Sequence, residues 1–547
     1  MTNAANVQGQ KRVLVSDALS EAGLALLKKH EGIAVEYAPG LKEAELAAKI
    51  PGFDALVIRS GSKVTKKVIE AADSLRVIGR AGIGVDNVDV GAASKRGIVV
   101  MNTPTGNAVT TAEHAIALLL SLARKIPQAT ASMRAGKWEK SKFQGRELAG
   151  KTLGILGLGN IGRIVADRAK GLRMSVIAYD PVLSTERAAQ LGVELVPLEE
   201  LFRRSDAITA HTPLTAETRG VVNDESIAKM KKGVLLVNCA RGGVFDEAAL
   251  VRGLESGHLG GVALDVFGEE PVLAGHPLVA QPNAIVTPHL GASTDEAQER
   301  VALEIVEQVV DYLMNGTITN AVNVPNVSRE TAPKLAPYQN LARKLGAFMA
   351  QVERVQPRSI EVECVGEPAE LGAMAVSRAA VAGILGPFLE SPVNEVSAPH
   401  VAADRGIAVV QRNGVRRAKY ASLVAVHVES ESGTRAVAEG VLGADGGPRL
   451  IRWRDYEIDA ELSGHALVLF NANKPGVIGA VGSILGKREI NIAHVHHGVD
   501  AAKAQALSIW NVDAPVPPDA LAEIAAAPNV GAAVTITLGE ERSSRGG

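Results

Sequence analysis

The sequence predicts an α/β chain: two successive parallel-sheet units, then an α+β region, then a βαββαβ unit at the C-terminus. Three observations carry this. From residue 11 to residue 102, short apolar runs alternate with amphipathic helices. The alternation restarts at Thr152, after a long apolar helix. Beyond residue 330 the apolar positions fall two apart, as in SIEVEC (359–364) and LVAVHVES (423–430).

In the first unit KRVLVSD (11–17), DALVIRS (54–60), LRVIGRAG (75–82) and IVVMN (98–102) read as strands. Each is a near-continuous apolar run, as strands covered on both faces require. GLALLKKH (23–30) and VTKKVIEAA (64–72) read as helices between them. The stretch TTAEHAIALLLSLARKI (110–126) reads as one long helix. It is too apolar to face water and should pack in a core or against a sister subunit.

The second unit runs through strand TLGILGLG (152–159), helix IGRIVADRAKGL (161–172) and strand SVIAYD (175–180). Strands AITAHTP (207–213), VLLVNCA (234–240), VALDVF (262–267) and AIVTPH (284–289) follow. Helix 295–316 should return the chain to the first unit. The expected domains are therefore 1–104 with 296–325, and 105–295. A Pro- and Asn-rich linker is expected over 320–337. An α+β domain, 326–460, and a ferredoxin-like unit, 463–540, complete the chain.

Bulk properties narrow the function. A chain of 547 residues needs several cores. The net charge of −2 speaks against nucleic acid as a partner. Two distant cysteines, Cys239 and Cys364, form no disulfide framework and fit a reducing compartment. Cys239, inside an apolar run, reads as a buried structural thiol rather than a nucleophile. The N-terminus lacks a signal-peptide core, and no uninterrupted apolar stretch reaches the ~18 residues of a membrane span. A cytoplasmic protein without membrane or metal partners is expected.

The strongest local motif is GLGNIG, with Gly157, Gly159 and Gly162. It follows an apolar strand and opens a helix, and Asp180 ends the next strand. That context is the Rossmann dinucleotide fingerprint. Gly157 permits the tight turn, Gly159 admits the pyrophosphate, and Gly162 allows close helix packing. The backbone N–H groups of Asn160 and Ile161 would face the phosphates. Asp180 would accept from the ribose hydroxyls and repel a 2′-phosphate, which favours NAD over NADP.

Three later strand ends carry polar groups: Arg241, then Asp265 with Glu270, then His289. Ligands of open parallel sheets bind at the carboxyl ends of strands. Alcohol oxidation needs a base for the hydroxyl proton, and a neutral imidazole suits it. A carboxylate fixes the ring's tautomer. A guanidinium grips a planar carboxylate in bidentate fashion. His289, Glu270 and Arg241 are the candidates for these three roles. Arg59, Ser60 and Lys63, and Arg134 near Trp138, are candidates for a substrate phosphate.

NCARGGVFDEAAL, ALDVFGEEP and TPHLGAST, together with GRAGIGVDNVD and NTPTGNAVTTAEH, resemble the D-isomer-specific 2-hydroxy acid dehydrogenase family. The resemblance covers residues 11–325. It implies an NAD-dependent dehydrogenase whose catalytic Arg, Glu and His are Arg241, Glu270 and His289. It implies cofactor contacts at Ile83, Asn160, Ile161, Asp180, Thr212, Cys239, Ala240, Arg241, Asp265 and the segment from His289 through Gly291 to Ala292. Gly82 joins the substrate candidates. The implied reaction is oxidation of 3-phospho-D-glycerate on the route to L-serine, with 2-oxoglutarate reduction as a possible side activity. The alternatives are a hydroxypyruvate/glyoxylate reductase and a non-enzymatic NAD-sensing corepressor.

The tail resembles that of long family members, which carry an intervening domain and then an ACT regulatory domain. FNANKPGVIGAVGSILGKREINIAHVHHG carries the second likeness. It implies L-serine as effector, bound through Asn471, Asn473 and Asn491 between paired ACT domains. Some relatives have His where Asn471 stands. A homotetramer follows from two kinds of two-fold interface.

Overall fold

The computed structural model describes residues 10–539 except 274, 326, 329, 354–356, 390–392, 416–418 and 501–503. The first sheet holds β1 (Lys11–Val15), β2 (Ile33–Tyr37), β3 (Ala55–Ile58), β4 (Val77–Arg80) and β5 (Val99–Met101). Its order is β2-β1-β3-β4-β5 and every pairing is parallel. The strand order reverses between β1 and β3, so a crevice opens there at the carboxyl ends. β2 is absent from the sequence reading. It sits at the sheet edge and is only part-buried, so its IAVEY run lacks the dense apolar signal of its neighbours.

The second sheet holds β6 (Thr152–Leu156), β7 (Ser175–Tyr179), β8 (Glu194–Leu195), β9 (Ala207–Ala210), β10 (Val234–Asn238), β11 (Leu259–Leu264) and β12 (Ala284–Val286). All are parallel, in the order β12-β11-β10-β9-β6-β7-β8. Its reversal falls at β6, the strand that GLGNIG ends.

The apolar helix has the expected length but begins and ends two residues earlier than its sequence suggests. It spans Ala108–Arg124 and stops at Lys125, which takes a left-handed conformation (φ 53°), and a new helix, Ile126–Arg134, begins. Pro127 cannot continue the hydrogen-bond ladder. The apolar face of the first helix (Ala112, Ala115, Leu119, Leu122) packs into a core with Leu153, Ile155 and Val237. Helix Asp295–Asn315 lays Val301, Ile305, Val306 and Val309 against Val13, Val57, Val77 and Val99 of the first sheet. A Cβ on Gly79 would come within 2.6 Å of Val309, so only glycine lets this helix approach so closely.

The third sheet is mixed: β13 (Pro357–Val365), β14 (Ala408–Asn413), β15 (Leu423–Ser430), β16 (Arg435–Leu442), β17 (Pro448–Trp453) and β18 (Tyr456–Glu461). Only β13–β14 is parallel. Helices Ala332–Glu353 and Glu367–Leu385 cover it. The first overruns the expected linker and carries Pro337 inside it. Burial of Leu335, Tyr338, Leu341 and Leu345 outweighs the ladder bond that Pro337 forfeits. The segment Glu367–Phe388 is long and apolar enough to cross a membrane, against expectation. Within its most apolar window 61% is buried in the protein. Its small residues sit flush on the neighbouring helix, where a Cβ on Gly383 would collide with the Arg343 carbonyl.

The last sheet holds β19 (His465–Ala472), β20 (Ile492–Asp500), β21 (Gln505–Val512) and β22 (Val530–Thr537), antiparallel in the order β20-β21-β19-β22. Helices Val477–Gly486 and Pro518–Ala525 make the βαββαβ pattern.

Candidate active site

The carboxyl ends of the two parallel sheets face each other, joined where Arg241 Nε donates to Asp86 (2.9 Å) and the Asn160 side chain to the Pro104 carbonyl (3.2 Å). On the second sheet, β6 runs into the glycine turn. Gly157 has φ +89°, and a Cβ there would lie 2.6 Å from the His211 carbonyl. A Cβ on Gly162 would meet the Gly157 carbonyl at 2.1 Å. A Cβ on Gly159 would meet nothing within 4 Å, so the cradle above it is open. Helix Asn160–Gly171 starts there without a side-chain cap, which leaves its first N–H groups free for an anion. These residues fit the pyrophosphate of NAD.

Asp180 is fixed by three backbone donors. Its Oδ2 accepts from Leu158 N (2.9 Å), and its Oδ1 accepts from Val182 N (3.0 Å) and Leu183 N (3.1 Å). The acidic side chain is thus tied to the glycine turn itself. The Asn160 amide donates to the Pro104 carbonyl (3.2 Å), and the Ile83 carbonyl accepts from Asn102 (2.6 Å). Thr212 is part-buried, while Cys239, Ala240 and Gly291 are buried and Ala292 is part-buried. Burial and the nearby Asp265 push the Cys239 thiol up, so it is no thiolate nucleophile.

His289 and Glu270 meet although nineteen residues separate them. His289 Nδ1 is 2.7 Å from Glu270 Oε2, and Glu270 Oε1 accepts the Phe267 amide at 2.9 Å. Glu270 raises the pKa of His289 through the hydrogen bond, against the effect of burial. Burial raises the pKa of Glu270, but the His289 hydrogen bond and the Phe267 amide outweigh it and leave a net lowering. The pair therefore favours imidazolium beside carboxylate. His289 itself sits at φ +55°, a left-handed conformation unusual for a side-chain-bearing residue.

Arg241 faces across the cleft. Its Nε donates to Asp86 of the first sheet at 2.9 Å, and its Nη1 to the Ala240 carbonyl at 2.6 Å. Arg59 follows β3, where its N–H donates to Asp17 Oδ2 (2.6 Å) and its guanidinium to the Ala18 carbonyl (3.2 Å). Ser60 and Lys63 are exposed beside it. Arg134 is different: it ends an exposed helix without buried residues. Among the described residues no hydrogen bond or ion pair ties it to this cluster.

Sequence reasoning passed over Arg80, Asp86 and His114. Arg80 ends β4 with its Nε buried and unpartnered. Burial and the neighbouring Arg241 and Arg59 push its guanidinium down to about 10, with Asp86 and Asp17 opposing. A Cβ on Gly82 would collide with Arg80, so Gly82 makes room for this guanidinium. The strand-end signal that flagged Arg241 was present at Arg80 in GRAG. In the C-terminal unit Asn473 and Asn491 are exposed, but Asn471 is buried. Its amide donates to the Ala472 carbonyl (2.8 Å) and its oxygen accepts from Ser508 (3.4 Å), so it serves the sheet.

Comparison with known proteins agrees with this geometry. Residues 116–291 match the D-isomer specific 2-hydroxyacid dehydrogenase NAD-binding domain. Residues 334–454 match the D-3-phosphoglycerate dehydrogenase intervening domain, and 465–529 an ACT domain. D-3-phosphoglycerate dehydrogenase from Archaeoglobus fulgidus is 41% identical over 94% of this chain and 97% of its own. The Bacillus subtilis enzyme of that name is 40% identical over 92% and 95%. The crystal structure of D-lactate dehydrogenase from Aquifex aeolicus complexed with NAD and lactic acid superposes with a TM-score of 0.51 at 28% identity, covering 57% of this chain and 100% of that one. The chain is an NAD-dependent dehydrogenase that belongs to the D-3-phosphoglycerate dehydrogenases of the D-isomer-specific 2-hydroxyacid dehydrogenase family.

Proposed function

We propose that the chain oxidises 3-phospho-D-glycerate to 3-phosphohydroxypyruvate, the first step of L-serine biosynthesis. One observation carries the reading: Arg59 and Arg80 stand at the ends of the adjacent strands β3 and β4, and the glycines of the loop after β4 give room to Arg80 (at Gly82) and to Arg241 (at Gly84), which brings three guanidinium groups to the strand ends that also carry the His289–Glu270 pair. A substrate with a carboxylate at one end, a phosphate at the other and a hydroxyl between them suits that set.

Arg241 holds the carboxylate and polarises the C2 oxygen. Arg59 and Arg80, with Ser60 and Lys63 beside them, hold the phosphate. His289 Nε2 takes the hydroxyl proton as C2 gives up its hydride, and Glu270 steadies the imidazolium through Nδ1–H. When bound, NAD supplies the hydride acceptor. Gly157, Gly159, Asn160, Ile161 and Gly162 would hold its pyrophosphate and Asp180 its ribose. Run backwards, the same imidazolium returns the proton to a keto acid.

The C-terminal unit reads as the effector domain, with L-serine received at Asn473 and Asn491 between paired copies, in a cytoplasmic homotetramer. The test is NADH formation by the full chain with 3-phosphoglycerate, glycerate and 2-hydroxyglutarate, with and without L-serine. The highest kcat/KM with 3-phosphoglycerate, lowered by serine, is expected; slower turnover of 2-hydroxyglutarate would be the side activity. Preference for glycerate would make the chain a hydroxypyruvate reductase. Insensitivity to serine would reassign the C-terminal unit.

A further inference from the structure

The carboxylate of Asp265 is fully buried, at 0% exposure, directly beneath the loop that carries His289. Its Oδ1 accepts from Thr287 Oγ1 (2.6 Å) and Leu290 N (2.7 Å), and its Oδ2 from Gly291 N (2.7 Å). A fourth donor comes from far away in sequence: His114 Nε2, in the middle of helix Ala108–Arg124, lies 3.2 Å from Oδ1. The same Nε2 is 3.2 Å from Thr287 Oγ1.

The tautomer follows from donor counting. An ionised carboxylate only accepts, and Thr287 spends its single hydroxyl proton on it at 2.6 Å. What remains toward His114 is acceptor on both sides, so Nε2 must carry the proton. This holds for both the neutral and the charged ring. Burial raises the pKa of Asp265, yet the four hydrogen bonds, led by that of His114, outweigh it and keep the group ionised.

Thr111, one turn before His114, reaches the same loop. Its hydroxyl lies 3.0 Å from both the Gly291 carbonyl and the Asn107 carbonyl of its own helix, so its single proton is shared between loop and helix. Residues three apart share a helix face. One face of this helix therefore grips the 290–291 peptides twice: Thr111 at the carbonyl, and His114 through Asp265 at the two amides. Those peptides directly follow His289, whose φ of +55° needs outside support.

We propose that His114, assisted by Thr111, is a positioning residue for the proton-carrying His289. It locks the Asp265 carboxylate, which in turn fixes the left-handed backbone that presents the imidazole to Glu270 and to the substrate hydroxyl. This rests on the reading of His289 as the proton carrier. The groups that face His289 electrostatically are Glu270, Asp265 and Arg241; Cys239, which interacts with Asp265, is held neutral.

The test uses the full-length holoenzyme in the oxidation direction and follows kcat and kcat/KM against pH. His114→Leu removes the donor. His114→Gln places an amide N–H where Nε2 stood. Thr111→Val removes the hydroxyl without changing shape. His114→Leu should lower kcat about tenfold or more while the substrate KM stays within about twofold, because a misplaced reacting group costs rate rather than affinity. The acidic limb should move to lower pH as the His289–Glu270 contact loosens. His114→Gln should restore most of the rate and the limb. Thr111→Val should show the same direction with a smaller loss, and it stands in for the leucine variant if that fails to fold. A limb unmoved in His114→Leu and Thr111→Val would overturn the inference, as would failure of His114→Gln to rescue. His289→Asn separates the two claims: if that variant keeps its rate and limb, the proton-carrier reading itself fails.

Discussion

Nδ1 of His289 and Oε2 of Glu270 stand 2.7 Å apart, and the other oxygen of that carboxylate is held by the Phe267 amide. The carboxylate therefore cannot swing away when the ring changes charge. It leaves Nε2 as the ring nitrogen for the proton transfer proposed above, and it sets the sign of the pH response.

Replacing Glu270 by Gln should test that sign. Glu270 raises the pKa of His289, so the variant's imidazolium should lose its proton at lower pH. Oxidation requires the neutral ring, so the acidic limb of kcat/KM should move down in pH. The rate at the plateau should fall on the order of 10²-fold. The linkage to stability runs both ways. The raised His289 contributes fully below its ordinary 6.5 and loses its contribution as pH rises through the folded value. The lowered Glu270 contributes above its ordinary 4.5 and loses its share as pH falls through the folded value. The pair should thus add most to Tm between those two values. A pH-independent Tm difference between wild type and Glu270→Gln would contradict this.

Asp180→Ala should do two things at once. Loss of the carboxylate should raise kcat/KM for NADP relative to NAD. It should also raise KM for both cofactors, since Leu158 N in the glycine turn loses its acceptor. Each effect should be about tenfold, the ~1.4 kcal/mol of one charge-assisted hydrogen bond. Steady-state kinetics with both cofactors reads the two effects separately. A change in the ratio without a rise in KM would show that the brace is idle.

Asp86 accepts from Arg241 Nε, so under the role proposed for Arg241 it competes with the substrate carboxylate. The side chain of Asp86 is 73% exposed, so the pair itself is worth at most ~1 kcal/mol. Asp86→Ala should lower the substrate KM up to about fivefold and leave kcat alone. The gap from wild type should close as salt is raised. A higher KM would make Asp86 an aid to Arg241 rather than its rival.

Much of the architecture was legible because fully covered parallel strands are dense apolar runs; β6, β9 and β10 announce themselves in that way. The part-buried edge strand β2 does not. Pro337 misled because proline in a helix is disfavoured locally, yet packing of Leu335 and Leu341 decides the matter. Among candidate site residues, Arg241, Glu270 and His289 are singled out by their strand ends, and the structure places Glu270 and His289 in contact. His114 could not, because a histidine in an apolar helix signals nothing until the chain brings Asp265 to it, 151 residues later. Asp86 is hidden in the same way, since its partner lies 155 residues on. Asn471 fits the family motif, but sheet burial claims its side chain.

On the proposed reading the proton pair His289–Glu270, its support Asp265 and the carboxylate-binding Arg241 all follow strands of the second sheet, whereas Arg59 and Arg80 stand at the ends of β3 and β4 of the first. On that reading the phosphate end and the reacting end of the substrate are received by separable pieces of chain. If Arg59 and Arg80 receive the phosphate as proposed, mutation in the loops after β3 and β4 should alter which distal group is accepted without disturbing how the acid is oxidised. Such a core can diversify by drift on one side while selection holds the other side constant, and a designer wishing to exchange the phosphate for another distal group would start with the segments 59–63 and 80–86 and leave Arg241 in place.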